Sequence, residues 1–196
     1  MKIPKGWNEV TIRQAVLISD IDIDTEMNEI EKMAMTVSVL TGMDLKEVNT
    51  MPLMKVREIR SKMGFLGEQP SNKFINEFTI DGVKYFINPD ITQITNEQFQ
   101  AFEYFTKDKD MITHNLHNLM AIVCLPEGEK YTMTNAPVRA NLFYDKMTFD
   151  VVAPVSYFFF QLLIQSYKNI HRSLESKVDN MIVENQKLIQ EISSEV

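Results

Sequence analysis

The chain has 196 residues, of which 44% are hydrophobic and 24% charged, so it can bury a sizeable core and is too apolar for wholesale disorder. Its net charge is −7 and its basic residues are scattered, which argues against sequence-specific nucleic-acid binding as its main function. The first residues lack the apolar core of a signal peptide, and the longest apolar block, near 151–164, is too short to cross a bilayer. We therefore expect a soluble intracellular protein with no membrane partner.

Two similar segments predict the starts of helices. Thr11-Ile-Arg-Gln14 and Thr95-Asn-Glu-Gln98 both match a capping box, in which the Thr and Gln side chains satisfy free N–H groups of the first turn. The flanking residues are also alike, from Val10 to Ala15 and from Ile94 to Phe99. The pair suggests an internal duplication, although Thr-x-x-Gln is also common by chance. The second helix is expected to carry three rings on one side: Phe99, Phe102 and Phe105.

The segment between the two boxes predicts further helices. After a polar break at residues 20–24, a helix should run from about Thr25 to Thr41 and end at Gly42. Asp44 can cap a short helical turn, and Pro52 suits the first turn of another helix. The face of the helix from Thr25 is expected to contain Ile30, Met33, Ala34, Val37 and Leu40.

A β-hairpin is predicted at about residues 74–87. Two β-rich runs flank Asp81-Gly82, which is a strong hairpin signal. A lone hairpin is marginal in water, so it must pack on helices or extend another sheet, and an exposed edge would suit strand addition by a neighbour. Later helices are expected from Met111 to Leu125 and from Ala136 to Met147.

The C-terminal part carries the most regular pattern. From Leu174 to Ile192 apolar residues recur in alternating steps of four and three, the spacing of a coiled-coil seam. Asn185 within the seam favours one register, whereas Ile182 and Ile189 widen the stripe beyond a two-stranded seam. Self-association and docking on a different protein therefore both stay open. The candidate partner-binding residues are Leu174, Val178, Met181, Ile182, Asn185, Leu188, Ile189 and Ile192.

The acidic stretch that begins at Asp20 has the spacing of a calcium-binding EF-hand loop. Its candidate oxygen ligands include Asp20, Asp22, Asp24 and Glu31, but the sixth position is Thr25, where the sharp turn needs Gly. The simpler interpretation is an acidic linker in which Asp24 or Thr25 caps the following helix. We expect no cofactor.

The other metal-binding or nucleophilic residue types form weak patterns. His114 and His117 lie about one helical turn apart, and His171 or the single cysteine, Cys124, would have to supply a third metal ligand through folding. Two surface histidines are the simpler interpretation. Cys124 lies in an apolar run without an adjacent base, which indicates a buried, unreactive thiol in a reducing compartment. The sequence carries no recognised catalytic motif, so we do not expect an enzyme.

These elements predict a mostly α-helical α+β fold. A helical domain with an inserted β-hairpin should span residues 1–170. A C-terminal helical extension with coiled-coil character should span residues 171–196.

The order of several short motifs carries a resemblance. The chain opens with Ile3-Pro4, Trp7 and Val10-Thr-Ile12 followed by Gln14, and continues with Val39-Leu-Thr-Gly42, Asp81-Gly82 and the segment from Ile94 to Phe99. This order, over roughly residues 3–160, resembles small virion and tail-assembly proteins of tailed bacteriophages that infect Bacteroidota, including crAss-like phages. The tail after His171 is not part of the shared pattern.

The resemblance implies a structural role without catalysis. The leading hypothesis is a virion component of the portal, neck or tail region that binds other phage structural proteins, and we expect it to form a homo-oligomer. It implies location in the virion, and in the host cytoplasm during assembly. Two alternatives stay open: a tail assembly chaperone that is absent from the mature particle, and a dimeric adaptor unrelated to phages.

Overall fold

A computed structural model describes residues 1–88 and 93–157 of the chain. This part is mostly helical and contains one small antiparallel sheet of three strands. The predicted extension at 171–196, with its apolar stripe from Leu174 to Ile192, lies outside the described residues.

The N-terminal half is helical. It begins with a 3-10 turn at Trp7–Glu9 and ends with another at Gly64–Gly67. Gly42 stops the second helix with a positive φ of 70°, and the Asp44 carboxylate caps the third through the N–H of Lys46 at 2.7 Å. The helices are α1 (Ile12–Ile23), α2 (Glu29–Thr41), α3 (Leu45–Thr50) and α4 (Leu53–Ser61).

The second half combines strands and helices. A 3-10 turn at Lys109–Met111 interrupts it, and residues 149–157 are again helical. In chain order the elements are β1 (Glu77–Ile80), β2 (Val83–Ile87), α5 (Asn96–Thr106), α6 (Leu116–Val123), β3 (Cys124–Pro126) and α7 (Ala136–Lys146).

The predicted hairpin is confirmed, and it belongs to a larger sheet. Asp81 and Gly82 both have positive φ, 51° and 80°, as a tight two-residue turn requires. The strand order is β1-β2-β3, and Cys124 of β3 lies opposite Ile87 of β2. The sequence patterns did not reveal β3, because its three residues continue the apolar run of α6.

Two predicted helices have different limits. Of the helix expected from Met111 to Leu125, only α6 is α-helical: the residues before it form a 3-10 turn and further turns, and its last residues pair with β2. The polar break at residues 20–24 is wrong, because Ile18 and Ile21 are buried and α1 continues past Asp20 to Ile23. The next helix therefore starts later than expected, at Glu29, and its cap is Asn28 rather than Asp24 or Thr25.

The N-terminal half has its own hydrophobic core. Helix α2 packs on α1, α3 and α4, and the ring of Trp7 contacts those of Phe65 and Phe149 at centroid distances of 5.3 and 5.2 Å. Ile30 was expected on the buried face of α2 but is 53% exposed, because it lies in the first turn, beyond this core. The core residues include Ala15, Ile18, Ala34, Val37, Leu40, Val56, Ile59, Met63 and Phe65.

The second half packs around α7. The ring of Phe143 is fully buried and lies 5.0 Å from Tyr85 and 5.8 Å from Phe78, so α7 covers one face of the sheet. Helix α7 also contacts α6 and α1. Two backbone hydrogen bonds, from Ile12 N to Met147 O at 3.0 Å and from Phe149 N to Val10 O at 2.8 Å, join the chain start to the end of α7.

Within residues 1–88 and 93–157, none of the helices combines the length and apolar character that crossing a membrane requires.

Candidate functional site

The four acidic candidates for calcium binding are not arranged as an EF-hand loop. Asp20 and Asp22 lie within α1, where the loop would need an irregular backbone. The Asp24 carboxylate accepts the N–H groups of Glu26 and Met27, and that of Glu31 accepts the N–H of Asn28 in a capping box. Each of these two carboxylates is therefore used in a turn or cap. In the part of the chain that the structure describes, no group of three or more His, Cys, Asp or Glu residues forms a metal site.

One of these acids meets one of the predicted histidines. The carboxylate of Asp20 in α1 lies 3.0 Å from Nε2 of His114, in the turn before α6. The two residues are far apart in sequence and both are partly exposed. The contact joins the N-terminal half to the second half rather than binding a metal.

A second group of side chains continues this contact along α1. The guanidinium of Arg13 lies 4.6 Å from the ring centroid of Tyr144 and forms an ion pair with Asp145. The Tyr144 ring is 4.7 Å from that of His117. Burial lowers the pKa of His117, which the simple surface interpretation did not anticipate. The group is therefore a junction between α1, α6 and α7.

Cys124 is a fully buried thiol, as predicted. Burial raises its pKa far above the ordinary value, so the thiolate needed for nucleophilic attack is not formed at neutral pH. Nearby Arg139 is also buried, and its Nε and Nη2 donate to the carbonyl of Ala121 at 3.0 and 2.8 Å. The sequence patterns gave no reason to expect a buried arginine in α7.

The described residues form an apolar groove with a volume of about 400 Å³. It lies between α5, α6 and the segment that leads into α7. Tyr104 and Met133 lie at its edge and are 74% and 54% exposed. The residues that line it include Ala101, Tyr104, Phe105, Ile122, Tyr131 and Met133.

The second capping box holds the groove together. The Gln98 side chain accepts the N–H of Thr95 at 3.1 Å and donates to the carbonyl of Ile122 at 2.8 Å, so it fixes α5 against α6. The Glu97 carboxylate accepts the N–H of Met133 at 3.1 Å and positions the opposite wall. Burial raises the pKa of Tyr131, so its hydroxyl is protonated at neutral pH. This geometry suits an apolar side chain of a partner better than a charged substrate.

The three rings expected on one side of α5 lie in three different environments. Phe102 is buried, whereas Phe99 is 43% exposed and Phe105 lines the groove. Three residues along a helix advance by less than a full turn, so the three rings span a wide arc around α5.

No protein-family model, curated protein or solved structure matches the chain.

Proposed function

We propose that the protein is a structural component of a tailed bacteriophage particle, in the portal, neck or tail region. It acts through protein–protein assembly and not through catalysis. The observation that carries the proposal is the order of short motifs in the sequence, which resembles that of small proteins of phages that infect Bacteroidota. The partners would be other structural proteins of the same phage. The protein would be located in the virion, and in the host cytoplasm during assembly.

The described structure supports an assembly role through two kinds of surface. The groove beside α5 exposes Tyr104 and Met133, and such aromatic and Met side chains are common at protein interfaces. Among the described residues the sheet ends at β1 on one side, and an edge strand is a common place for strand addition by a partner. Both surfaces suit binding to a polypeptide.

The composition of purified particles tests this function. If the protein is a component, mass spectrometry of particles of the phage that encodes it will detect it at a constant ratio to the portal protein. Absence from mature particles, combined with presence in infected cells, contradicts the component function. The same result is the one expected for a tail assembly chaperone.

The chaperone is the second candidate, and the open groove favours it. A chaperone must bind apolar segments of different partners, and a Met-containing apolar surface adapts to them. Co-purification of unassembled tail protein with the chain, lost after Ala101→Arg in the groove, is the result expected for a chaperone. A matched Val138→Arg variant on the exposed side of α7 should retain the tail protein.

The apolar stripe from Leu174 to Ile192 stays a sequence prediction. If it joins copies of this chain, Met181→Asp combined with Leu188→Asp will lower the mass measured by light scattering, because buried charges oppose association. An unchanged mass excludes a homotypic seam.

A further inference from the structure

The turn between α1 and α2 is an exposed acidic surface with apolar side chains in it. We call residues 22–31 the acidic corner; it contains five carboxylates and no Lys or Arg. Ile23 and Ile30 are 71% and 53% exposed, although both are large apolar residues. The amine of Lys32 donates to the carbonyl of Asp22 at 2.8 Å, which ties the end of α1 to the start of α2. The corner is therefore a built surface rather than a loose loop.

The outer face of α4 has the opposite character. Val56 and Ile59 hold the inner face of this helix in the core, while Met54 is 73% exposed on the outer one. Around Met54 this face carries Lys55, Arg57, Glu58 and Lys62, which is three cations and one carboxylate. Hydrogen bonds from Lys62 and Lys55 lower the pKa of Glu58 to about 2, so it stays ionised and the net charge of the face is +2.

We propose that the acidic corner of one copy docks on the outer face of α4 of a second copy. The charges are complementary, and Ile23 and Ile30 would cover Met54. The two surfaces are different patches of the same chain, so the contact is head-to-tail and can continue into a ring or a filament. It deepens the proposed assembly function, on which it rests, by naming a second copy as a partner.

Two other occupants of the basic face fit less well. Within the same chain, no ion pair of the described residues joins the corner to α4. A nucleic acid would meet a protein with a net charge of −7 and a carboxylate at the centre of the face. The acidic corner offers negative charge for the cations of the face and apolar side chains for Met54.

Charge reversal in the full chain tests the proposal. The corner variant is Glu26→Lys/Glu29→Lys, and the helix variant is Lys55→Glu/Arg57→Glu. At about 0.05 M salt, sedimentation velocity of the unaltered protein should show concentration-dependent association that weakens at about 0.5 M salt. Each variant alone should associate about tenfold more weakly, because attraction becomes repulsion at the contact.

Recombination of the reversed surfaces makes the test specific. A mixture of the two variants should associate again, because the reversed corner then meets the reversed helix. A chain with all four changes should associate with itself and not with the unaltered protein. The matched control is Lys107→Glu/Lys109→Glu, on exposed residues that belong neither to the corner nor to α4, which should associate normally. Urea unfolding of every variant checks that it is folded.

Several results overturn the proposal. They are the absence of association at low salt, association that neither reversal weakens, and weakening that the mixture does not restore. Association lost only in Met181→Asp/Leu188→Asp assigns self-assembly to the stripe instead. Binding of a DNA duplex that is lost in the helix variant assigns the basic face to nucleic acid. Because the test uses purified protein, it is independent of whether the protein is found in particles.

Discussion

The two helical hairpins, α1–α2 and α5–α6, begin in the same way. They differ in what contacts the equivalent sides of their first helices, α1 and α5. Gln14 and Gln98 each complete a capping box, and each donates its amide N–H to a carbonyl of the next helix, Val39 and Ile122 respectively. The partners lie 25 and 24 residues further along the chain. The three-dimensional arrangement therefore strengthens the suggestion of an internal duplication that the short motifs raised.

The equivalent sides of α1 and α5 have different neighbours. Counted from the two glutamines, Asp20 of α1 corresponds to Tyr104 of α5. Asp20 forms an ion pair with His114 of the other half, whereas Tyr104 is 74% exposed at the edge of the groove. The groove therefore lies on the side of the second hairpin that corresponds to the contact side of the first hairpin. The same local pattern yields a junction in one place and an open surface in the other, because the neighbours differ.

Helix α4 packs on the first hairpin and α7 on the second. Removing a large buried side chain from either contact should lower the free energy of unfolding more than any other change considered. We expect Phe143→Ala to lower the free energy of unfolding by about 3–5 kcal/mol and Met63→Ala, just after α4, by about 2–5 kcal/mol. Both side chains are fully buried. Urea unfolding measures the change, and exposed Val138→Ala should alter it by less than about 0.5 kcal/mol. A loss below about 1 kcal/mol for Phe143→Ala would show that α7 does not hold the second core.

The two glutamines should differ in the size of their effect. Gln98→Ala removes the donor to a buried carbonyl and half of a capping box, so we expect a loss of about 1–3 kcal/mol. Gln14→Ala should cost less, since Gln14 is only half-buried and water can replace its amide. Exposed Gln100→Ala on the same helix is the control. A larger loss for Gln14 than for Gln98 in urea unfolding would contradict this order.

The local signals predicted much of the fold. Both capping boxes, the Gly42 helix end and the Asp81-Gly82 turn are where the sequence placed them, since each depends on residues within one turn of the chain. The failures have a tertiary cause. Cys124 enters β3 only because β2 lies beside it, and α1 continues past Asp20 because Ile21 finds a buried site.

The site was harder to predict than the fold. The sequence offered Asp20 and His114 as parts of two separate weak metal patterns, and folding brings them together as an ion pair between the two halves. The groove combines residues of α5 and α6 with Tyr131 and Met133, and no periodic pattern links these positions. Buried Arg139 was missed for the same reason, because its partner is the Ala121 carbonyl of another helix.

The junction between the hairpins should respond to pH through His117. Its pKa is lowered by burial, so the unfolded chain binds this proton at a higher pH than the folded protein does. The contribution of His117 to the free energy of unfolding should be complete above the ordinary histidine pKa of about 6.5 and should decrease as the pH falls below it. In His117→Gln, urea unfolding between about pH 7.5 and about pH 5.5 should show a shallower decline. Equal slopes in both proteins would show that His117 does not carry the effect.

The smallest effect on stability is expected at the groove. Tyr104→Ser and Met133→Ser change exposed side chains at its edge, so each should alter the free energy of unfolding by less than about 0.5 kcal/mol. Asp20→Asn on the equivalent side of α1 should cost more, because it weakens a contact between the two halves. Urea unfolding compares the three variants at neutral pH. If Tyr104→Ser lowers the free energy of unfolding as much as a core substitution does, the groove is part of the folded core and not an open surface of α5.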